Sequence, residues 1–200
     1  MNYLAHAYLS FHQPEILAGN LISDFVKGKK KFDYSAAIQK GIELHRAIDN
    51  FTDTHEATRD AKEVFRSHYR LYAGAFIDVV YDHFLAIDKD QFPNGSLLAF
   101  SEEVYRQMEP FIPQMPERFR AMFPYMKSQN WLFNYQYREG MERSFGGLVR
   151  RAAYIEDSHT AVVLFDQHYA YLHSCYRLFF PAVLAFARDY LYNNVQTGGK

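Results

Sequence analysis

AGAFIDVVYDHFLAI, residues 73–87, is the stretch that decides the fold class. Apolar side chains occupy nearly every step, so no face is left for water, and that is the mark of a helix buried all round. Only Asp78, Asp82 and His83 interrupt it. Such a helix needs a shell of amphipathic neighbours. Outward from it, apolar residues recur at three- and four-residue spacing through most of the chain, and no run keeps the period of a strand. The reading is an all-α chain.

Breakers mark the joints of the shell: Pro14, Lys27-Gly28-Lys29, Pro93-Asn94-Gly95, the group Pro110, Pro113 and Pro116, then Pro124, and Gly146-Gly147. Between them the periodicity predicts about seven or eight helices. The clearest are Tyr34 to Asp53, Glu56 to Ile87, Ser96 to Met108, Glu117 to Met126, and a final one from Ser158 to Tyr192 kinked at Pro181. No repeat, low-complexity tract or Ser/Gly-rich linker divides the chain, so residues 1–200 are expected to form a single compact bundle, with 194–200 as a disordered tail.

Composition removes several function classes. With 48% hydrophobic and 18% aromatic residues, the chain has ample material for a core. A formal charge of −1 from 22 basic and 23 acidic residues lacks the basic excess of a nucleic-acid binder. The lone cysteine, Cys175, has no disulfide partner, so a reducing compartment, the cytoplasm, is the expected location. The start, Met1 to His6, carries no basic leader, and no stretch approaches the ~20 apolar residues of a membrane span, so neither secretion nor insertion is expected.

The chemistry lies where charge meets the apolar pattern. Asp78 and Asp82 are four apart and share a helix face, where two carboxylates in a core repel each other and are costly to desolvate. A bound cation would relieve both, with the adjacent His83 as a further ligand. The alternative is that one carboxylate caps a neighbouring helix or pairs with an arginine such as Arg46. A second group lies in GIELHRAIDNFTDTH, residues 41–55, where His45 and Asp49 share a face and Asp53 follows one turn on. Imidazole and carboxylate at that spacing suit manganese, iron or zinc, and they equally suit a His–Asp hydrogen bond within a helix. His6 sits on an apolar stretch, and Asp24 precedes the basic loop Lys27-Gly28-Lys29-Lys30-Lys31, which could attract a phosphate or an acidic protein surface and could equally be a solvated loop. No His-Glu-x-x-His, Gly-x-Ser-x-Gly or Walker loop is present, and Glu156 and His159 form a single Glu-x-x-His where a di-iron bundle needs two.

Four segments in order, NYLAHAYLS, GNLISDFVKG, GIELHRAIDNFTD and DVVYDHFL, resemble the acyl carrier protein phosphodiesterase family, with a looser likeness continuing through Trp131 and Tyr135. The resemblance implies an all-α relative of the HD-domain phosphohydrolases. It implies hydrolysis of the phosphodiester joining 4′-phosphopantetheine to a serine of holo-acyl carrier protein, with Mn²⁺ as the favoured metal and Mg²⁺ or Fe²⁺ as alternatives. The ordinary His-Asp dipeptide of HD proteins is absent, and the nearest equivalent is the reversed Asp82-His83. On this reading Asp24, His45, Asp49, Asp78 and Asp82 hold the metal, with His6 and His83 as further candidates. Asp24, Asp49 or Asp53 orients water, Arg46, Lys27 or Lys29 neutralises the phosphate, and the loop Lys27 to Lys31 docks the acidic carrier. Three other functions compete: an HD-like phosphohydrolase acting on nucleotides or another small phosphodiester, a non-catalytic helical module whose histidines and aspartates only hold the core, and, behind these, a di-iron oxidase.

Overall fold

The computed structural model describes residues 1–193. The tail expected from residue 194 onward lies outside the described residues. Among the described residues eleven α-helices run in the order α1 (Tyr3–Tyr8), α2 (Pro14–Ile22), α3 (Ala36–Thr54), α4 (Glu56–Tyr69), α5 (Ala73–Ile87), α6 (Leu97–Met108), α7 (Glu117–Ser128), α8 (Trp131–Asn134), α9 (Arg138–Arg151), α10 (His159–Gln167) and α11 (Tyr169–Asn193). No strand occurs among the described residues, so the all-α reading holds. No helix among them is long and apolar enough to cross a membrane.

The apolar segment 73–87 is the core helix, α5. From Phe76 to Ala86 only Asp78 is not fully buried, and α1, α4, α9 and α11 pack around the helix. Phe76 stacks on Phe65 of α4 at 5.7 Å and meets Phe145 of α9 edge-on at 5.1 Å, while Tyr81 stacks on Phe179 of α11 at 4.9 Å.

Two predicted helices are each two. The run Glu56 to Ile87 breaks at Arg70, whose φ of +48° turns the chain back, followed by a 3-10 turn over Arg70–Tyr72. Neither glycine nor proline marks the break. The gain is tertiary, because the reversal lays α5 against α4 and brings Tyr69 and Phe76 to 4.2 Å. The run Ser158 to Tyr192 breaks at His168, where ψ is +16°, letting α10 pack on α4 and α9 while α11 turns to α3, α4 and α5. Pro181 is accommodated within α11 without ending it.

A close crossing joins α2 to α3. A Cβ on Gly19 would stand 2.0 Å from the Ile38 carbonyl oxygen, and one on Gly41 would stand 2.3 Å from that of Ile16. Only glycine permits this approach. It places Asn20, the next residue on α2, within reach of His45, one turn beyond Gly41.

Candidate metal centre

His45 and Asp49 come from one face of α3, as their spacing predicts, and α1 contributes His6 from across the gap. Asp49 stands between the two rings. Its Oδ2 is 3.0 Å from His45 Nε2 and its Oδ1 is 3.3 Å from His6 Nε2. The rings stack at 3.9 Å, 15° from parallel. Asp24, exposed just after α2, sets its Oδ1 3.2 Å from His45 Nε2. One ligand atom from each of His6, His45 and Asp49 falls within 4.8 Å of the others, a grouping able to hold a metal ion.

The tautomers follow from the outer hydrogen bonds. His45 Nδ1 lies 2.7 Å from the backbone carbonyl oxygen of Asn20, which can only accept, so Nδ1 carries the proton. Asn20 Nδ2 donates to the His6 carbonyl oxygen at 2.9 Å and to Ser10 Oγ at 3.1 Å. Its amide orientation is thereby fixed, and the Oδ1 at 2.8 Å must accept from His6 Nδ1. With both protons turned outward, each neutral imidazole aims an Nε2 lone pair at Asp49. Lone pair against carboxylate is unfavourable unless a cation or proton stands between them. His6 Nε2 is buried with no hydrogen-bond partner. An orphaned, preoriented imidazole nitrogen beside carboxylate oxygens fits a divalent metal, and the outer hydrogen bonds are those that set a ligating histidine.

The titration of the group is divided between the two rings. Burial and the neighbouring His45 push His6 down to about 4. Burial also works against charge on His45, but hydrogen bonds to Asp24 and Asp49 outweigh it and hold the ring up at about 9. Asp49, although burial raises it, is drawn far below the usual carboxylate range by the two histidines. The hydrogen bond to His45 likewise lowers Asp24 and keeps it ionised.

The remaining candidate side chains have different partners. The Met1 ammonium stands 2.9 Å from Asp78 Oδ1 and 3.7 Å from Asp49 Oδ1. Burial disfavours that charge, yet Asp78 and Asp49 hold the amine up at about 10. Asp78 thus faces the cluster through a cation, but that cation is the amino group. Asp82 takes the capping alternative, accepting from the backbone N–H groups of Asn2 at 3.2 Å, Leu4 at 2.7 Å and Ala5 at 3.3 Å. It anchors the first turn of α1 and so places His6. His83 is not brought to the cluster. Its Nδ1 donates to the Tyr135 carbonyl oxygen at 2.8 Å and its ring packs edge-on against Phe165. Asp53 is exposed and paired to Lys62 at 2.7 Å. Arg46 donates to the Val26 carbonyl oxygen at 3.0 Å, Lys27, Lys29 and Lys30 are exposed, and Lys31 pairs with Glu43 at 2.8 Å.

Comparison with known proteins decides the family. Residues 1–183, which include every residue of the cluster, match the family described as acyl carrier protein phosphodiesterase. The chain belongs to that family. A relative from Photorhabdus laumondii subsp. laumondii, named acyl carrier protein phosphodiesterase, is 33% identical over 190 residues, 94% of this chain and 96% of its own. Relatives of the same name from Klebsiella pneumoniae subsp. pneumoniae (34% over 190 residues, 94% of this chain and 98% of its own) and Yersinia pestis (32% over 185 residues, 92% and 96%) are similar along nearly their whole length. No solved structure matches the chain.

Two participants in this cluster are not evident from the sequence pattern. Asn20 lies within GNLISDFVKG, but nothing in the spacing ties a buried asparagine on α2 to histidines on α1 and α3. The only hint is a polar residue in the apolar run EILAGNLI. The Met1 ammonium has no spacing signal at all, because it reaches Asp78 across the fold.

Proposed function

We propose that this chain is a metal-dependent phosphodiesterase that hydrolyses the bond between 4′-phosphopantetheine and a serine of holo-acyl carrier protein, releasing apo-carrier and free 4′-phosphopantetheine. The observation that carries the metal dependence is the orphaned His6 Nε2, aimed with His45 Nε2 at Asp49 in a member of this family. His6, His45 and Asp49 would hold the ion, with Asp24 completing the set from its exposed side. A divalent ion there, Mn²⁺ in the first instance and Mg²⁺ or Fe²⁺ as alternatives, supplies Lewis acidity to the phosphoryl oxygens and acidifies water.

The protein's own residues do the rest. Asp24, ionised and open to solvent, orients the attacking water, which gives its proton to solvent and adds to phosphorus as the bond to the serine oxygen breaks. The serine oxygen takes a proton from solvent and leaves as the hydroxyl of the apo-carrier. Arg46, with Nη2 anchored on Val26, would use its other N–H groups to neutralise the phosphate. Lys27, Lys29 and Lys30, which begin three residues after Asp24, give an acidic carrier a positive approach. Histidines and aspartates from separate helices around one ion amount to a non-standard HD-like arrangement.

The test is incubation of purified protein with holo-acyl carrier protein and Mn²⁺, following carrier mass and released 4′-phosphopantetheine. Conversion to apo-carrier that a chelator abolishes and added Mn²⁺ restores is the expected result. Uncut carrier in the presence of metal-loaded protein would refute the substrate assignment, and conversion unaffected by chelation would refute the metal.

A further inference from the structure

Beside the cluster, α9 floors a groove of about 310 Å³. Gly140, Ser144 and Gly147 recur there at three- and four-residue steps, so one face of the helix is nearly bare. A Cβ on Gly140 would stand 1.9 Å from the Asn134 carbonyl oxygen, and this contact seats α8 and its Trp131 along one side. Arg143, Arg150 and Arg151, all exposed, line the groove. The point a Cβ would occupy on Gly147 is 3.5 Å from Arg151 Nη1 and 3.7 Å from Arg150 Nη2, so two guanidinium groups meet over the same glycine.

These arginines lack counter-charges. Arg138, at the start of the same helix, is paired with Glu142 and Asp166. Arg143, Arg150 and Arg151 make no ion pair among the described residues, and what sets them apart from the other unpaired arginines is that all three line one groove. Arg150 and Arg151 also complement the dipole at the carboxyl end of α9. That effect explains neither Arg143, two turns earlier, nor the indole beside them. In a chain of net charge −1 such a concentration of unpaired positive charge is local and directional.

The groove opens toward the metal-binding cluster through Tyr3. Tyr3 lines the groove, and His6 follows one turn later on α1, so the two side chains are neighbours about 5–6 Å apart at Cβ. Tyr3 lies within range of two opposite charges. Its hydroxyl is pushed up to about 12 by burial and then by Asp24, and Arg151 draws it back.

We propose that this groove is the seat of the carrier protein, with Arg143, Arg150 and Arg151 pairing with carboxylates of its acidic surface and Trp131 packing beside them. The phosphodiester then passes across Tyr3 to His6 and Asp49. The assignment rests on the substrate reading above. Guanidinium forks match carboxylates in two-point geometry, and arginine and tryptophan are, with tyrosine, the residue types enriched at the energetic centre of protein interfaces. The Lys27 to Lys31 loop is a weaker seat, with Lys31 already held by Glu43 and lying over the Phe32 ring at 5.1 Å.

The experiment titrates apo-acyl carrier protein, which has no arm to cleave, into wild-type protein, Arg150→Ala/Arg151→Ala, Arg143→Ala and Lys27→Ala/Lys30→Ala, at two salt concentrations. Steady-state cleavage of holo-carrier is measured alongside. The double arginine variant is expected to raise Kd for apo-carrier and KM for holo-carrier on the order of tenfold. Its Kd should respond less to salt than that of wild type, with metal content and melting temperature unchanged. Folded arginine variants that bind and cleave like wild type would overturn the groove while leaving the reaction standing, and a loss confined to the lysine variant would move the seat to the loop and also overturn it. Wild type that neither binds apo-carrier nor cuts holo-carrier would remove the substrate reading and the groove with it.

Discussion

Replacing Asn20 with alanine tests whether the two imidazoles are held as ligands or simply packed. The side chain makes three hydrogen bonds: Oδ1 accepts from His6 Nδ1, and Nδ2 donates to the His6 carbonyl oxygen and to Ser10 Oγ. Asn20→Ala strands the buried His6 Nδ1–H, which costs about 1–3 kcal/mol, or roughly 2–12 °C in melting temperature for a chain of this size. It also frees the His6 ring to change tautomer and turn Nε2 away from Asp49. His45 keeps its bond because that acceptor is the Asn20 backbone oxygen. One ligand is therefore loosened and the other is not. The expected loss of Mn²⁺ affinity is about 10–100-fold, as for other outer partners of metal-bound histidines, with turnover recovering at high metal concentration. Calorimetric Mn²⁺ titration of folded Asn20→Ala beside wild type measures this. Affinity within about twofold of wild type, in a variant whose stability has fallen as expected, would show that His6 is not oriented for a metal.

Three further outcomes follow from the same geometry. Asp49→Asn should purify without stoichiometric metal and lose at least about 10³-fold in phosphodiesterase turnover, because Asp49 is the carboxylate that faces both rings; retention of metal by elemental analysis would count against its role. Gly41→Ala places a Cβ 2.3 Å from a backbone oxygen that cannot step aside. It should destabilise by about 3 kcal/mol or more in urea unfolding, and near-wild-type stability would refute the close crossing of α2 and α3. For metal-free protein, His45 has a folded pKa of about 9 against an ordinary 6.5, so its ion pairs stabilise fully below pH 6.5 and are lost as pH rises through 9. The melting midpoint should fall across that window and Mn²⁺ affinity should rise, since proton and metal compete for one Nε2; a flat midpoint would contradict the pairing with Asp24 and Asp49.

Residues 73–87 settle the fold class on their own, because a stretch with no polar face must be enclosed, and helical periodicity in its neighbours names the enclosure. His45 and Asp49 are legible for the same local reason: four residues along one helix is a fixed geometry. What local geometry does not carry is distance between helices. The break at Arg70 has no glycine or proline to announce it and is driven by aromatic contacts that exist only after the chain reverses. Asp78 and Asp82 are on one face, as read, yet their partners are an amino group and three backbone N–H groups nearly eighty residues away. The helical class, the family motifs and the set of side chains able to bind a metal are all local properties, written in the order of the residues. Which of those side chains meet is a property of the packed chain: the glycine crossing of α2 and α3 sets Asn20 against His45, and Asp82 anchors α1 so that His6 completes the set. Ligation depends on positions in space to within a fraction of an ångström, and those are set by packing between elements distant in the chain.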